Sequence, residues 1–374
     1  MNSERKRILA VFSDVNFSPQ LVALLQELKD RGATFRVILI GNTELQIAKQ
    51  IKVQKWDMKI IRQRGKFGSL VNFIILALEI RKYRPETIFA SGQFAMVIGM
   101  FSARLLNVPR RVFIRHHSSL HHKYKMKFGI IIDRISNCLA TTIVAVSMVV
   151  KNILIRDEFV DEDKVVVIHN GVHLTNFLSE LNSSKAAAIQ NIENTHLFHI
   201  GVVSRLTKWK GVEYTATAFV RLQKEFPNSR LHIVGAFADS YTDVKNILSP
   251  VASERYTLEK ISSNIPLFFH GLDAFVHVPV GLEDEAFGLV YIEALSSGIP
   301  CIFTKSGVLN ELEALDSYAD IVSFRDSEEI YVGLKKLIQG VNATKIPVPE
   351  SWLNHFSLDV MAKSYADLLL GEGR

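Results

Sequence analysis

Nearly continuous apolar runs alternate along the first half of the chain with segments whose apolar residues recur every three or four positions. "RILAVFS", "TFRVILIG", "ETIFAS", "RRVFIRH", "TTIVAVS" and "KVVVIHNG" read as strands buried on both faces. "SPQLVALLQELKDRG", "SLVNFIILALEIRKYR" and "FAMVIGMFSARLLN" carry the helical period between them. Ser18 and Pro19 predict an N-cap and a first helical residue, and Gly32 a C-cap. Strands apolar on both sides and separated by helices predict a parallel sheet covered on both faces.

The pattern restarts near residue 195. "LFHIGVVSR", "SRLHIVGAF", "RYTLEK", "DAFVHVP" and "PCIFT" read as strands, with helices at "GVEYTATAFVRLQKEF" and from about 287. The join falls near "HNGVHLTNF", which gives domains 1–171 and 172–350. The last helix, "SLDVMAKSYADLLL", follows a Pro-rich connection, and 351–374 is expected to return to the first domain. The expected fold is α/β, with two Rossmann-like, doubly wound domains facing across a cleft. Ligands bind such domains at the C-terminal ends of the strands. The architecture by itself does not select a function.

Composition narrows the class. Hydrophobic residues make up 48% and charged residues 22% of 374, as in ordinary globular proteins. The longest apolar run, "LVNFIILALEI" (70–80), is too short to span a bilayer. The N-terminal "RKRILAVFSDV" is basic then apolar, but its apolar part is short and no cleavage site follows, so a first strand is expected. Cys138 and Cys301 are too few for a disulfide framework or a metal site, which fits a reducing cytoplasm. Residues 1–171 hold 27 Lys and Arg against 14 Asp and Glu, whereas the remainder holds 17 against 24. The first half therefore suits an acidic partner. No helix-turn-helix, RNA-binding aromatic or zinc-finger pattern supports nucleic acid in that role.

The chemistry concentrates in "EDEAFGLVYIEALSSGIP" (283–300). On a helix, Glu293 would neighbour Leu289, Val290, Ser296 and Ser297, none of them basic. A carboxylate among apolar neighbours needs a partner. That partner is either a distant Arg or Lys, or a pair of ligand hydroxyls. Glu285 is expected just before the helix. Phe287, Gly288 and Leu289 would then present backbone N–H groups to an anion such as phosphate. Glu293 would follow about 6 Å along the axis, at about 1.5 Å per residue.

Glu-x7-Glu with an internal "FGL", followed by "EALSSGIPCIFTKSGVLNE", resembles the signature of the retaining family 4 glycosyltransferases of GT-B fold. The resemblance implies that Glu293 holds the donor ribose, that Glu285 lies by the donor sugar, and that Phe287, Gly288 and Leu289 bind the diphosphate. In "GVVSRLTKWKG" (201–211), Arg205 and Lys210 resemble the family's Arg-x4-Lys pair, which neutralises the leaving diphosphate. Two fixed cations can do this without a metal. "VSMVVKNIL" and "VVVIHNGV" resemble the family's join, with His173 where Asp is usual. After "FIRHHSSLHHKYKMK" (113–127), either His116 or His117 matches the histidine that touches donor sugar or acceptor. The four histidines lack Cys or carboxylate partners before Asp133, so no metal is expected. "SDVNFSPQ" (13–20) lacks the glycine-rich loop common after strand one, and "DED" (161–163) reads as a solvated turn.

The implied function is retaining, metal-independent transfer of a hexosyl or N-acetylhexosaminyl group from a nucleotide-diphosphate sugar, UDP-sugar ahead of GDP-sugar. No cofactor is implied. The acceptor would be a glycan or polyprenyl-diphosphate-linked sugar in surface polysaccharide biosynthesis. "RQRGKFGSL" (62–70), "RKYR" (81–84) and "HHKYKMKFG" (121–129) interleave cations with aromatics and suit an anionic membrane. The expected location is cytoplasmic, peripheral on the inner face of the plasma membrane. The alternatives are a catalytically silent nucleotide-sugar-binding subunit and a GT-B sugar-nucleotide epimerase.

Overall fold

The structure, a computed structural model, describes residues 6–13, 15–16, 18–41, 45–62, 65–117, 126–178, 197–261, 264–313, 315–340 and 348–372. The chain divides into two compact units, Met1–Gly171 with Leu358–Arg374, and Val172–Ser357. The return to the first unit thus begins at Leu358 rather than at 351, and the short helix Glu350–Asn354 belongs with the second unit.

The first unit holds β1 (Arg7–Ser13), β2 (Thr34–Ile40), β3 (Met58–Ile61), β4 (Thr87–Ser91), β5 (Arg110–Arg115), β6 (Thr142–Ala145) and β7 (Val165–Val167). They form one sheet in the order β3-β2-β1-β4-β5-β6-β7, every pair parallel. β1 is buried from Ile8 onward, as a strand covered on both faces must be. Ser18 caps the helix Pro19–Asp30, its Oγ accepting the Leu21 N–H at 3.3 Å, and Gly32 (φ 71) follows the cap residue Arg31. Helix Gln46–Val53, β3 and helix Lys127–Leu139 go beyond the sequence reading. The first two are eight and four residues long, windows too short for a period to show.

Strand order reverses between β1 and β4, and there the chain makes a close approach. Gly92 has φ 95, and a Cβ on it would lie 2.1 Å from Ser13 O. Ser13 Oγ accepts the Ala95 N–H at 2.9 Å, near the start of helix Gln93–Leu105. The small residue absent after β1 is thus supplied after β4.

Helix Leu358–Leu370 lies on Pro19–Asp30 and buries Leu358, Met361, Tyr365 and Leu369. Cations take its last carbonyls: Arg110 bonds Leu369 O at 3.2 Å and also Leu368 O, and Lys6 bonds Leu370 O. Arg31 pairs with Asp367 and Glu372.

The second unit holds β8 (Phe198–Val203), β9 (Ser229–Val234), β10 (Tyr256–Glu259), β11 (Ala274–His277), β12 (Cys301–Phe303) and β13 (Asp320–Ile321). Their order is β10-β9-β8-β11-β12-β13, again all parallel. The reversal falls between β8 and β11, the position where doubly wound sheets bind ligands. Alternation along the strands separates two cores. Ile200, Val202, Leu231, Ile233, Val276 and Ile302 join one cluster with Phe219 and Leu334 of the helices Val212–Glu225 and Ser327–Ile338. Phe275, His277 and Phe303 are absent from that cluster and join an aromatic chain instead. Ring centroids step from Phe269 to Phe275 (5.0 Å), Phe275 to Phe303 (6.3 Å), Phe303 to Tyr291 (5.0 Å) and Tyr291 to His277 (4.9 Å).

Candidate active site

The loops after β8 and β11 touch because a glycine stands between them. Gly211 has φ 68, and a Cβ there would meet Val278 O at 2.0 Å. Val280 N–H bonds Trp209 O at 3.1 Å, which ties the same two loops together. Lys210 is thereby carried to Glu285, and the two form a largely buried ion pair. His277, the last residue of β11, places Nε2 2.7 Å from Glu285 Oε1, the oxygen that Lys210 also holds. Among the described residues Oε2 has no protein donor. Burial opposes ionisation of Glu285, but Lys210 and the His277 bond outweigh it and bring its pKa to about 2. Burial lowers the pKa of His277, whose Nδ1 is buried without a hydrogen-bond partner. An imidazolium would strand a buried N–H there, so the neutral ring with its proton on Nε2 fits the site.

The 305–308 segment clamps the Glu285 loop. Glu285 N–H bonds Ser306 Oγ at 3.1 Å, Ser306 Oγ donates to Gly281 O at 2.8 Å, and Val308 N–H bonds Phe287 O at 3.0 Å. Gly307 (φ 58) allows this, since a Cβ on it would lie 2.6 Å from Phe287 O. Phe287 itself is buried against Phe356, with centroids 6.0 Å apart.

Gly288 (φ 87) then turns the chain into helix Leu289–Ser296. The amides of Gly288 and Leu289 have no protein acceptor among the described residues. Glu293 follows one turn later, half-buried, with no ion pair and no side-chain hydrogen bond among the described residues. Among the described residues no Arg or Lys takes the part of the distant cation, one of the two partners the sequence left open. Desolvation alone raises its pKa to about 7. A carboxyl so placed gains from any ligand that donates to it.

Arg205 leaves the end of β8 exposed to solvent, its guanidinium without a partner among the described residues. The sequence-predicted cations thus differ in setting: Lys210 is paired with Glu285, and Arg205 has no partner among the described residues.

His116 and His117 belong to the first unit, after β5. His116 is exposed, with Nε2 3.0 Å from Ser91 Oγ at the end of β4. Partial desolvation of the ring lowers its pKa. His117 places Nε2 3.9 Å from the buried Asp133, and its carbonyl accepts from Arg115 Nε at 3.3 Å. Arg115 is itself buried and bonds Asp133 at 3.1 Å and Glu158. His121 and His122 lie outside the described residues, as do Asp14 and Phe17 of the loop after β1. Among the described residues no three His, Cys, Asp or Glu side chains gather as a metal site.

Sequence reasoning missed His277 and Ser306. The signal for His277 was present, a histidine in the inward register of "AFVHVP" eight residues before Glu285. Nothing in the sequence said that β11 would lie beside β8.

Two doubly wound domains, the second carrying an acidic motif and a pair of cations beyond its strand C-termini, are the architecture of the GT-B fold. The models of two families match, Glycosyl transferases group 1 over residues 185–344 and Glycosyltransferase Family 4 over residues 20–176. The chain belongs to the family 4 glycosyltransferases. It is 24% identical over 284 residues to the capsular polysaccharide biosynthesis glycosyltransferase CapM of Staphylococcus aureus, covering 73% of this chain and 72% of CapM. It is 25% identical over 304 residues to the Escherichia coli UDP-Gal:alpha-D-GlcNAc-diphosphoundecaprenol alpha-1,3-galactosyltransferase, covering 74% and 77%. The crystal structure of Anabaena HepE with UDP and glucose superposes with a TM-score of 0.79 at 17% identity, over 98% of this chain and 100% of that one.

Proposed function

We propose that the protein transfers a hexosyl or N-acetylhexosaminyl group, with retention, from a UDP-sugar to a glycan or polyprenyl-diphosphate-linked acceptor in surface polysaccharide biosynthesis. The observation that carries this reading is Glu293, a half-buried carboxyl one turn inside a helix whose first amides, like the carboxyl, have no partner among the described residues. A diphosphate at the amides and ribose hydroxyls at the carboxyl would satisfy both at once. The names of the relatives, with UDP and UDP-Gal among them, favour uridine over guanosine.

In this reading the bond between the anomeric carbon and the diphosphate oxygen breaks while Arg205, Lys210 and the helix N-terminus take the developing charge. The acceptor oxygen bonds the anomeric carbon on the same face. Its proton passes to the departing diphosphate, so no side-chain base and no metal is required. Glu285 orients sugar hydroxyls through Oε2 and supports positive charge at the anomeric carbon. Phe287 fixes the entry to the diphosphate-binding turn. His116 is the first domain's candidate for contact with sugar or acceptor, since His117 is turned to Asp133.

The basic first domain is read as the part that meets an anionic membrane, at the cytoplasmic leaflet where polyprenyl-linked acceptors are held. Thermal shift with UDP, GDP and ADP tests the donor. A nucleotide at 100 times its dissociation constant adds about 2.7 kcal/mol of stability. Product analysis with labelled UDP-sugars then tests transfer and anomeric outcome. Nucleotide binding without transfer, or conversion of the sugar nucleotide alone, would overturn the transferase reading.

A further inference from the structure

Three neighbouring helices of the first unit turn apolar stripes outward. On helix Gly65–Tyr83, Leu70, Ile74 and Leu78 are 66%, 48% and 60% exposed, spaced four residues apart on one line. Helix Gln93–Leu105 packs between this helix and Lys127–Leu139. It exposes Phe101 and Leu105, and the Phe73 and Phe101 rings meet at 6.0 Å. On Lys127–Leu139, Ile131 and Ile135 are exposed at the same spacing. Arg81, Arg104 and Arg134 stand exposed among or beside these residues. The three helices contain two carboxylates, Glu79 and Asp133, both buried and paired inward, Glu79 with Arg36 and Lys59, Asp133 with Arg115. Their outward faces therefore carry cations and apolar groups without an acid.

A strained aromatic adjoins this face. Phe159 is 78% exposed at φ 58, a backbone region that bulky residues rarely occupy, and the Arg134 guanidinium lies 5.8 Å from its ring centroid.

We propose that this three-helix face inserts into the headgroup and upper acyl region of an anionic bilayer, so that attachment is apolar as well as electrostatic. The inference rests on the membrane reading above and gives it a surface. A helix with apolar residues on its outer as well as its inner side normally has that outer side covered by protein or lipid. Here its outer half is exposed, and among the described residues no helix is long and apolar enough to cross. Lying in the interface is the arrangement left, with cations at the headgroups and Leu, Ile and Phe beneath. A second copy of the chain is a poorer occupant, because a two-fold contact would set this uniformly basic face against itself.

Vesicle sedimentation of the full chain tests it, with phosphatidylcholine vesicles against vesicles containing phosphatidylglycerol and neither donor nor acceptor present. The wild type should bind the anionic vesicles and keep part of that binding at about 1 M salt, where screening extends to about 3 Å. Ile74→Glu with Phe101→Glu should reduce partition by roughly tenfold or more. The stability and UDP-induced thermal shift of that variant should match wild type. Arg81→Glu with Arg104→Glu should remove only the salt-sensitive part. Binding that disappears in salt and ignores the Ile74 and Phe101 changes overturns the apolar face and leaves an electrostatic membrane reading. Absence of wild-type binding overturns both, while the UDP shift still reports on the transferase site. A wild-type dimer that Ile74→Glu splits, without lipid binding, would make the face a self-interface and also overturn the proposal.

Discussion

His277 Nε2 lies 2.7 Å from Glu285 Oε1, the oxygen already bonded to Lys210. One edge of the carboxylate is thus held by protein, and the other is open. With a folded pKa of about 2, below its ordinary value of 4.5, Glu285 contributes stability that is full above about pH 4.5 and lost as pH falls towards 2. Glu285→Gln should lower transfer by about 10²–10³-fold while folding persists, judged by kcat and thermal melting. His277→Leu should lower kcat with donor KM little changed, because it frees the carboxylate to rotate without touching the nucleotide subsite.

Glu293 titrates in the opposite sense. Its folded pKa, about 7, exceeds the ordinary 4.5, so ionisation costs stability as pH rises from about 4.5 through 7. Glu293→Gln should therefore stabilise the apoprotein at pH 8, by about 1–3 kcal/mol, and abolish the nucleotide-induced shift. A ligand that donates to the carboxylate should also expel a proton near pH 6.5. Calorimetry in buffers of different ionisation enthalpy reads that directly, and a buffer-independent enthalpy would count against ribose binding here.

Gly288 is required by geometry. A methyl group there would approach Tyr291 Cδ2 to 2.4 Å at φ 87. Gly288→Ala should cost about 1–3 kcal/mol and weaken UDP binding, because the turn that presents the amides must distort. Denaturant unfolding and nucleotide titration on one variant measure both effects.

Truncation after Ser357 removes the helix Leu358–Leu370 and uncovers the face of Pro19–Asp30 on which it packs. The truncated chain should lose cooperative unfolding of the first unit and bind a hydrophobic dye, while the second unit keeps its nucleotide shift. Retention of both transitions would show that the helix is dispensable.

Arg115 should be as sensitive as any core residue. Removing a cation bonded to two buried carboxylates, Asp133 and Glu158, is expected to cost about 3–5 kcal/mol on Arg115→Ala. Urea melts of the variant check it.

The chain's own sequence determined the two sheets, because strands covered on both faces must be apolar along most of their length, and the centres of β1, β4 and β6 are so. It also placed Glu285, Gly288 and Glu293 at the start of one helix, since that relation is local and follows from spacing. Tertiary structure decided the rest. Lys210 meets Glu285, 75 positions on, because β8 and β11 are neighbours and Gly211 lets their loops touch. His277 enters the site by strand register. That Glu293 meets no cation among the described residues became visible only when the distant side chains around it had positions. The outward stripe of helix Gly65–Tyr83 was hidden for a related reason: apolar residues lie on both its inner and its outer side, so their spacing does not say which side faces out. Local order follows from the residues in a short window, whereas partners and exposure depend on which distant segments the fold brings alongside.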